Sequence, residues 1–347
     1  MNAEEMIGRE DLIINRDGLG QLVRDWLAKD KPLAAPKRIK DDLVQYALCT
    51  DFDEIMLDGF VHPDNSIKTF LFPRHEKLYH YETDELGRIT LEDSNFGEFS
   101  QLLLGVRPCD AAIVPILNHV FNWDLKDSFY NRRAEGTVII ALGCTTCDAN
   151  CFCTSVGGAP DGVAGADALL FPTSDPSVFA VKVVSEKGAH LLAKYCAIGT
   201  AAPKAAAEVP VRFDMDTVHD WLKENFESPF WEEESLSCVG CGACSYTCPT
   251  CHCFDIMDEK NGLGAGWRVR NWDYCQGRQF TLHASGHNPR ATQGARQRQR
   301  LTHKFWAYRD RFGTVLCTGC GNCIRRCPVG LGVLPFAKKI CELAKKS

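Results

Sequence analysis

Hydrophobic and polar positions along the chain follow two periods. In "DGLGQLVRDWLAK", residues 17–29, Leu19, Leu22, Val23, Trp26 and Leu27 recur at i, i+3, i+4, i+7 and i+8. That is the single apolar stripe of an amphipathic helix. Pro32 and Pro36 follow and predict its end. From about 40 to 108 the chain breaks into short runs rich in β-branched and aromatic residues, "SIKTFLF" and "KLYHYET" among them, punctuated by Gly, Pro, Asn and Asp. These predict strands and hairpins. "QLLLGVRPCD" and "TVIIALGCTTC" read as buried strands that run into cysteines. Donor side chains at strand ends are a common placement for sites in α/β folds. Residues 154–180, rich in Gly, Pro, Ala and Asp, predict a long loop with one strand at Ala168–Phe171. "SEKGAHLLAKYCAI" and "DMDTVHDWLKENF" predict helices. Near residue 230 the acidic, proline-bearing "ESPFWEEESLS" precedes a dense cysteine region and marks the expected domain boundary.

A chain of 347 residues with 45% apolar content predicts two or three domains with true cores. The expectation is an α+β or α/β domain over 1–230 and a second domain over 231–347. The net charge of −6 gives no basic domain for nucleic acid. No run of about 18 apolar residues predicts a membrane helix. The acidic start, "MNAEEMIGREDLIINRDGL", has no apolar core of a secretory signal. The predicted location is therefore the reducing cytoplasm. There, 19 cysteines read as metal ligands rather than disulfides.

The cysteines fall in three groups: five in 109–153, seven in 238–275 and four in 317–327. Cys49, Cys196 and Cys341 stand alone and read as buried core thiols.

Cys238, Cys241, Cys244 and Cys248 have the spacing C-x2-C-x2-C-x3-C, with Pro249 next; Cys317, Cys320, Cys323 and Cys327 repeat it, with Pro328 next. This is the bacterial ferredoxin run, in which three thiolates hold one cubane and the fourth holds the other. One [4Fe–4S] cluster is thus expected on Cys238, Cys241, Cys244 and Cys327. A second is expected on Cys317, Cys320, Cys323 and Cys248. Zinc also takes paired C-x2-C motifs, but not triplets with a fourth Cys-Pro, repeated. The second domain is therefore expected to be a dicluster, ferredoxin-like α-helical domain with an inserted segment, 254–316. Within it, Arg290 to Arg311 holds six Arg, one Lys and one Asp. That run reads either as a solvated, ion-paired helix or as packing over anionic clusters or an acidic partner. "GLGAG" lacks the dinucleotide spacing and reads as a turn. His283 and His287 could face a metal but fit ordinary polar positions.

In the middle group, "GVRPCDAA" supplies Cys109 and "GCTTCDANCFCTS" supplies Cys144, Cys147, Cys151 and Cys153. The spacing is not the ferredoxin run. A third [4Fe–4S] cluster is expected on Cys109, Cys144, Cys147 and either Cys151 or Cys153. Asp110 and Asp148 are possible oxygen ligands. Zinc, a redox dithiol and inert core thiols are the other readings. Cys251, Cys253 and Cys275 fit neither ferredoxin quartet. They pack beside the clusters, form a further site, or replace a ligand.

"GVRPCDAA", "GCTTCDANCFCTSVGG", "CGACSYTCPTCHCFD", "RQRLTHKF" and "CTGCGNCIRRCPV" resemble the iron–sulfur subunit family shared by anaerobic sulfite reductase and cytosolic sulfhydrogenase, where it is the β subunit. The resemblance covers most of the chain. It implies a non-catalytic electron-transfer subunit working between an FAD- and NAD(P)H-binding iron–sulfur flavoprotein and a catalytic partner. That partner would be a sulfite reductase, a nickel–iron hydrogenase or a heterodisulfide-reductase-like enzyme. Two rivals stand beside it: an oxidoreductase subunit with its own flavin or substrate site in residues 1–230, and a scaffold or redox sensor.

Overall fold

The computed structural model describes residues 3–94 and 97–346. Its framework is an eight-stranded sheet of order β10-β1-β9-β8-β7-β6-β2-β3. In chain order these strands are β1 (Leu12–Asn15), β2 (Leu33–Lys40), β3 (Leu43–Leu48), β6 (Gln101–Val106), β7 (Thr137–Leu142), β8 (Ala168–Pro172), β9 (Val178–Val183) and β10 (Ala197–Ile198). Strands β2, β6, β7 and β8 are parallel neighbours. The flanking pairs are antiparallel.

A parallel strand covered on both faces needs apolar side chains on both, and every residue of β6 is buried. Leu102, Leu104, Ile140, Leu142 and Leu170 point into one core; Leu103, Ile139, Ala141 and Leu169 point into the other. This is the period of two that a strand imposes. The first core is closed by α1 (Arg16–Leu27) through Leu19, Leu22, Val23 and Trp26, and by α6 (Glu186–Leu192). The stripe read from the sequence is the face that α1 buries. Asn15 ends β1 and caps α1 by accepting the Gly18 N–H at 2.7 Å. The second core is closed by α4 (Ile113–Asn122) and by Tyr130 of α5 (Ser128–Gly136).

The segment "SIKTFLF", expected as a strand, is instead one helical turn, α2 (Lys68–Leu71). Ile67 and Leu71 are fully buried one turn apart, with Phe72 beside them. That spacing, not alternation, decides its conformation. The expected loop 154–180 also contains the start of β9, which returns antiparallel to β8.

A second sheet, β11-β12-β4-β5, is built from β4 (His75–Thr83), β5 (Ile89–Asp93), β11 (Phe254–Lys260) and β12 (Ala265–Trp272). It joins strands from both sides of residue 230. Its anchor is buried charge: Glu76 on β4 accepts from Arg270 on β12 and from Arg133 on α5. Arg270 also pairs with Asp127, which caps α5.

The remaining helices are short: α3 (Pro108–Ala111), α7 (Met215–Glu224), α8 (Phe230–Ser235), α9 (Ala243–Tyr246), α10 (Gln293–Thr302), α11 (Tyr308–Phe312), α12 (Asn322–Arg325) and α13 (Val333–Ala344). Among them lies an aromatic core of Phe213, Trp221, Phe230, Trp231, Phe305 and Phe336 that includes Cys317 and Cys323. Phe152, from the middle cysteine group, packs into it. No helix among the described residues is long and apolar enough to cross a membrane.

Candidate metal centres

The two ferredoxin motifs fold alike. Each places three cysteines on a loop that enters a four-residue helix, α9 or α12, with the fourth cysteine beyond it. They differ in depth. Cys317, Cys320, Cys323 and Cys248 are buried; Cys241 is exposed, and Cys238, Cys244 and Cys327 lie between. Cys248 stands close enough to Cys317 and Cys320 for their charges to interact, and Cys323 joins them. The structure thus gathers the second expected quartet.

Donors aim at these sulfurs. The Leu331 N–H points to Cys327 Sγ at 3.2 Å, and the Val333 N–H to Cys323 Sγ at 3.5 Å. Gln297 Nε2 donates to Cys238 Sγ and Lys304 Nζ to Cys248 Sγ, both at 3.3 Å. The basic run therefore packs inward: Arg300 and Lys304 are each only 2% exposed. Lys68 of α2 is buried equally, with Nζ 2.9 Å from the Cys251 carbonyl oxygen and 3.7 Å over the Trp272 ring. Among the described residues none of these three cations has a carboxylate partner. Burial alone would lower the Lys304 pKa, but the thiols of Cys248, Cys251 and Cys317 outweigh it and hold it above its ordinary value. Burial pulls Lys68 down to about 8 and His252 to about 4, so His252 is neutral. A buried cation without an anion is costly. A cluster with four thiolates carries net negative charge, and the three cations match that demand.

The middle cysteines meet at the strand ends. Cys109 follows β6 on α3, and Cys144 follows β7. One cavity is lined by Cys109, Cys144, Cys147, Cys151 and Cys153, and also by Cys320. Gly143 permits the exit from β7, because a Cβ there would lie 2.2 Å from Phe171 Cδ2. Gly319, at φ +67°, permits contact between the middle group and the second motif. A Cβ there would lie 2.5 Å from the Cys153 backbone, and the Phe152 N–H donates to the Gly319 carbonyl at 3.0 Å. Arg325 of α12 reaches across, donating to Cys151 Sγ at 3.2 Å and to both Asp148 oxygens at 2.7 and 2.9 Å. Burial would raise Asp148, but Arg325 holds it at about 2. Asp110 is fully buried, accepts from Tyr46 OH at 2.8 Å and lies 3.0 Å from His62 Nε2. Its Oδ1 has no hydrogen-bond partner.

Among the described residues, no three His, Cys, Asp or Glu side chains close on a point as around a single ion. The middle group lines a cavity rather than a point. Of the remaining thiols, Cys251 lies near enough to Cys248, and Cys253 to Cys275, for their charges to interact. His283 and His287 are exposed, their rings 5.3 Å apart. Sequence reading missed Lys68, Arg325 and the donor Gln297, while Lys304 lies in the basic run for which packing over anionic clusters was one of two readings. A lone Lys inside the apolar "SIKTFLF" was the available signal for Lys68.

Twin cysteine motifs, amide donors on sulfur and unpaired buried cations define an iron–sulfur protein of the dicluster class, built for electron transfer. Residues 237–331 match the family described as "4Fe-4S dicluster domain". The chain is 29% identical over 275 residues to "Sulfhydrogenase 2 subunit beta" of Pyrococcus furiosus, covering 75% of this chain and 78% of that protein. The chain is therefore similar to these proteins, in its dicluster region and over most of its length respectively. No solved structure matches it.

Proposed function

We propose that the chain is a non-catalytic subunit that carries electrons between two partners through three [4Fe–4S] clusters. The expected quartets, Cys238, Cys241, Cys244 with Cys327 and Cys317, Cys320, Cys323 with Cys248, hold two. Cys109, Cys144, Cys147 and Cys151 hold the third. The Arg325 hydrogen bond to Cys151 Sγ favours that residue over Cys153, since N–H donors accompany ligating sulfur. When bound, such clusters supply one-electron transfer.

The observation that carries this reading is the position of Cys320. It belongs to the second motif and also lines the cavity of the middle group. The two sites therefore share a wall. From them the path continues to the exposed loop of Cys241. An FAD- and NAD(P)H-binding iron–sulfur flavoprotein at one end fits this arrangement. The catalytic partner at the other end would be a sulfite reductase, a hydrogenase or a heterodisulfide-reductase-like enzyme. The cytoplasm is the proposed location. The purified chain should carry about twelve irons and about twelve acid-labile sulfides. A reproducible count of about eight, with no third paramagnetic centre on reduction, overturns the third site.

One observation favours a second reading, a flavin or substrate site in residues 1–230. A cavity of about 470 Å³ opens at the carboxyl ends of β1, β6, β7 and β8, lined by Arg16, Phe60, Arg107, Thr145 and Thr146 among others. Such crevices are the usual ligand sites of α/β sheets. Stoichiometric flavin fluorescence released by acid from the isolated chain would establish it.

A further inference from the structure

The cavity at the carboxyl ends of β1, β6, β7 and β8 carries a charge that no cysteine quartet explains. Arg107 follows β6 directly and is only 5% exposed. Its Nε donates to the Val61 carbonyl at 2.9 Å, its Nη1 to the Gly143 carbonyl at 3.3 Å and its Nη2 to the Phe60 carbonyl. Each Nη carries a second N–H, so both keep a donor to give. Among the described residues no carboxylate pairs with this guanidinium, and it donates to no sulfur. It lines this cavity but not the one enclosed by the middle cysteines. A buried cation met only by carbonyl dipoles is costly unless an anion comes to it.

The rest of the lining adds to that excess. Lys204 also lines the cavity, its backbone N–H bonded to the Pro172 carbonyl at 2.8 Å. Among the described residues it has no carboxylate partner. Arg16 and Asp58 satisfy each other at 2.7 Å. Asp175 is engaged in its own turn, where Oδ1 accepts from the Ser177 N–H at 2.8 Å and from its Oγ at 2.7 Å. Leu57, Val178 and Phe179 supply an apolar wall. The volume, about 470 Å³, suits a cofactor-sized molecule. Val61 and Thr146 line both this cavity and that of the middle cysteines, so one residue's thickness separates them.

We infer that this cavity, taken as the ligand site of the second reading above, binds a phosphate ester with a planar ring, of the mononucleotide class. The phosphate lies on Arg107 and Lys204, and the ring lies against the wall of Leu57, Val178 and Phe179. The two sources of such a ligand are a flavin and an adenine mononucleotide. Either would stand one residue from the middle cysteine group.

Equilibrium dialysis of the cluster-loaded chain against flavin mononucleotide, riboflavin, adenosine monophosphate and adenosine tests this. The expected result is one flavin or one adenine mononucleotide per chain, with its phosphate-free counterpart weaker by about tenfold or more, the worth of a charge-assisted hydrogen bond. Which of the two binds identifies the source. Arg107→Gln should weaken binding by about tenfold or more, and Lys204→Gln by about threefold, with iron per chain unchanged. Should Arg107→Gln fail to fold, Lys204→Gln and a loss of affinity with added salt carry the same test. Equal binding with and without the phosphate overturns the phosphate site and leaves the second reading standing. Binding that neither variant nor salt weakens overturns it as well. So does an absence of binding by all four compounds, whereas flavin released from the chain by acid decides the second reading separately.

Discussion

The eight-stranded sheet and the cysteine-bearing helices solve the same problem with different materials. The sheet buries aliphatic side chains on both faces of β6 and β7 and closes each core with helices of seven to twelve residues. Around the ferredoxin motifs, α9 and α12 are four residues long. Such helices are far too short to be stable alone. Their core counts cysteines among its members, and Lys68, Arg300 and Lys304 lie buried facing thiols. One half is held by hydrophobic burial; the other adds thiols and buried cations to an aromatic core.

Removing the clusters should break that comparison most visibly. Iron chelation is expected to leave amides of β6 and β7 protected from hydrogen exchange while those of α9 and α12 exchange freely. Equal loss in both regions would refute the division. Next in size is Gly319→Val. Its left-handed backbone alone costs about 1–3 kcal/mol in a non-glycine residue, and its Cβ would collide with Cys153. The variant should lose the iron of the middle site as well as part of the second, read by iron assay and low-temperature EPR. Glu76→Gln comes third. It leaves Arg270 and Arg133 facing a neutral group in a buried site, at a cost of about 3–5 kcal/mol. Chemical unfolding should show this, with iron content in the folded fraction unchanged. A fall in iron per folded chain would mean that the second sheet is part of the cluster framework. The smallest effect is Lys304→Met, which keeps the fold and the iron but removes a cation near Cys248. A charge about 6 Å away at an effective dielectric of about 20 shifts a reduction potential by on the order of 100 mV, here downward. A potentiometric titration with no shift would show that the cation acts only through packing.

The legibility of the sequence follows the same division. The stripe of α1, the strands β6 and β7 and the two ferredoxin motifs were readable, because period and cysteine spacing are local properties. Lys68 was not. Its partner, the Cys251 carbonyl, lies 183 residues away, and "SIKTFLF" carried enough β-branched residues to mimic a strand. The shared wall at Cys320 was equally invisible, since it depends on how one loop packs on another. The basic run held two readings until burial separated them. Arg300 and Lys304 turned inward, while Arg298 and Arg309 kept exposed carboxylate partners.

The pairing of β4 with β12 has a consequence for biosynthesis. Glu76 and Arg270 are 194 residues apart. At about 5–20 residues per second, a ribosome takes roughly 10–40 s to deliver the second after the first. Throughout that interval β4 and β5 exist as a hairpin without their partner strands, and the middle cysteines wait without the second motif that walls their cavity. The order of synthesis therefore leaves the middle cysteine group open until the second motif emerges, although all of its cysteines are made first.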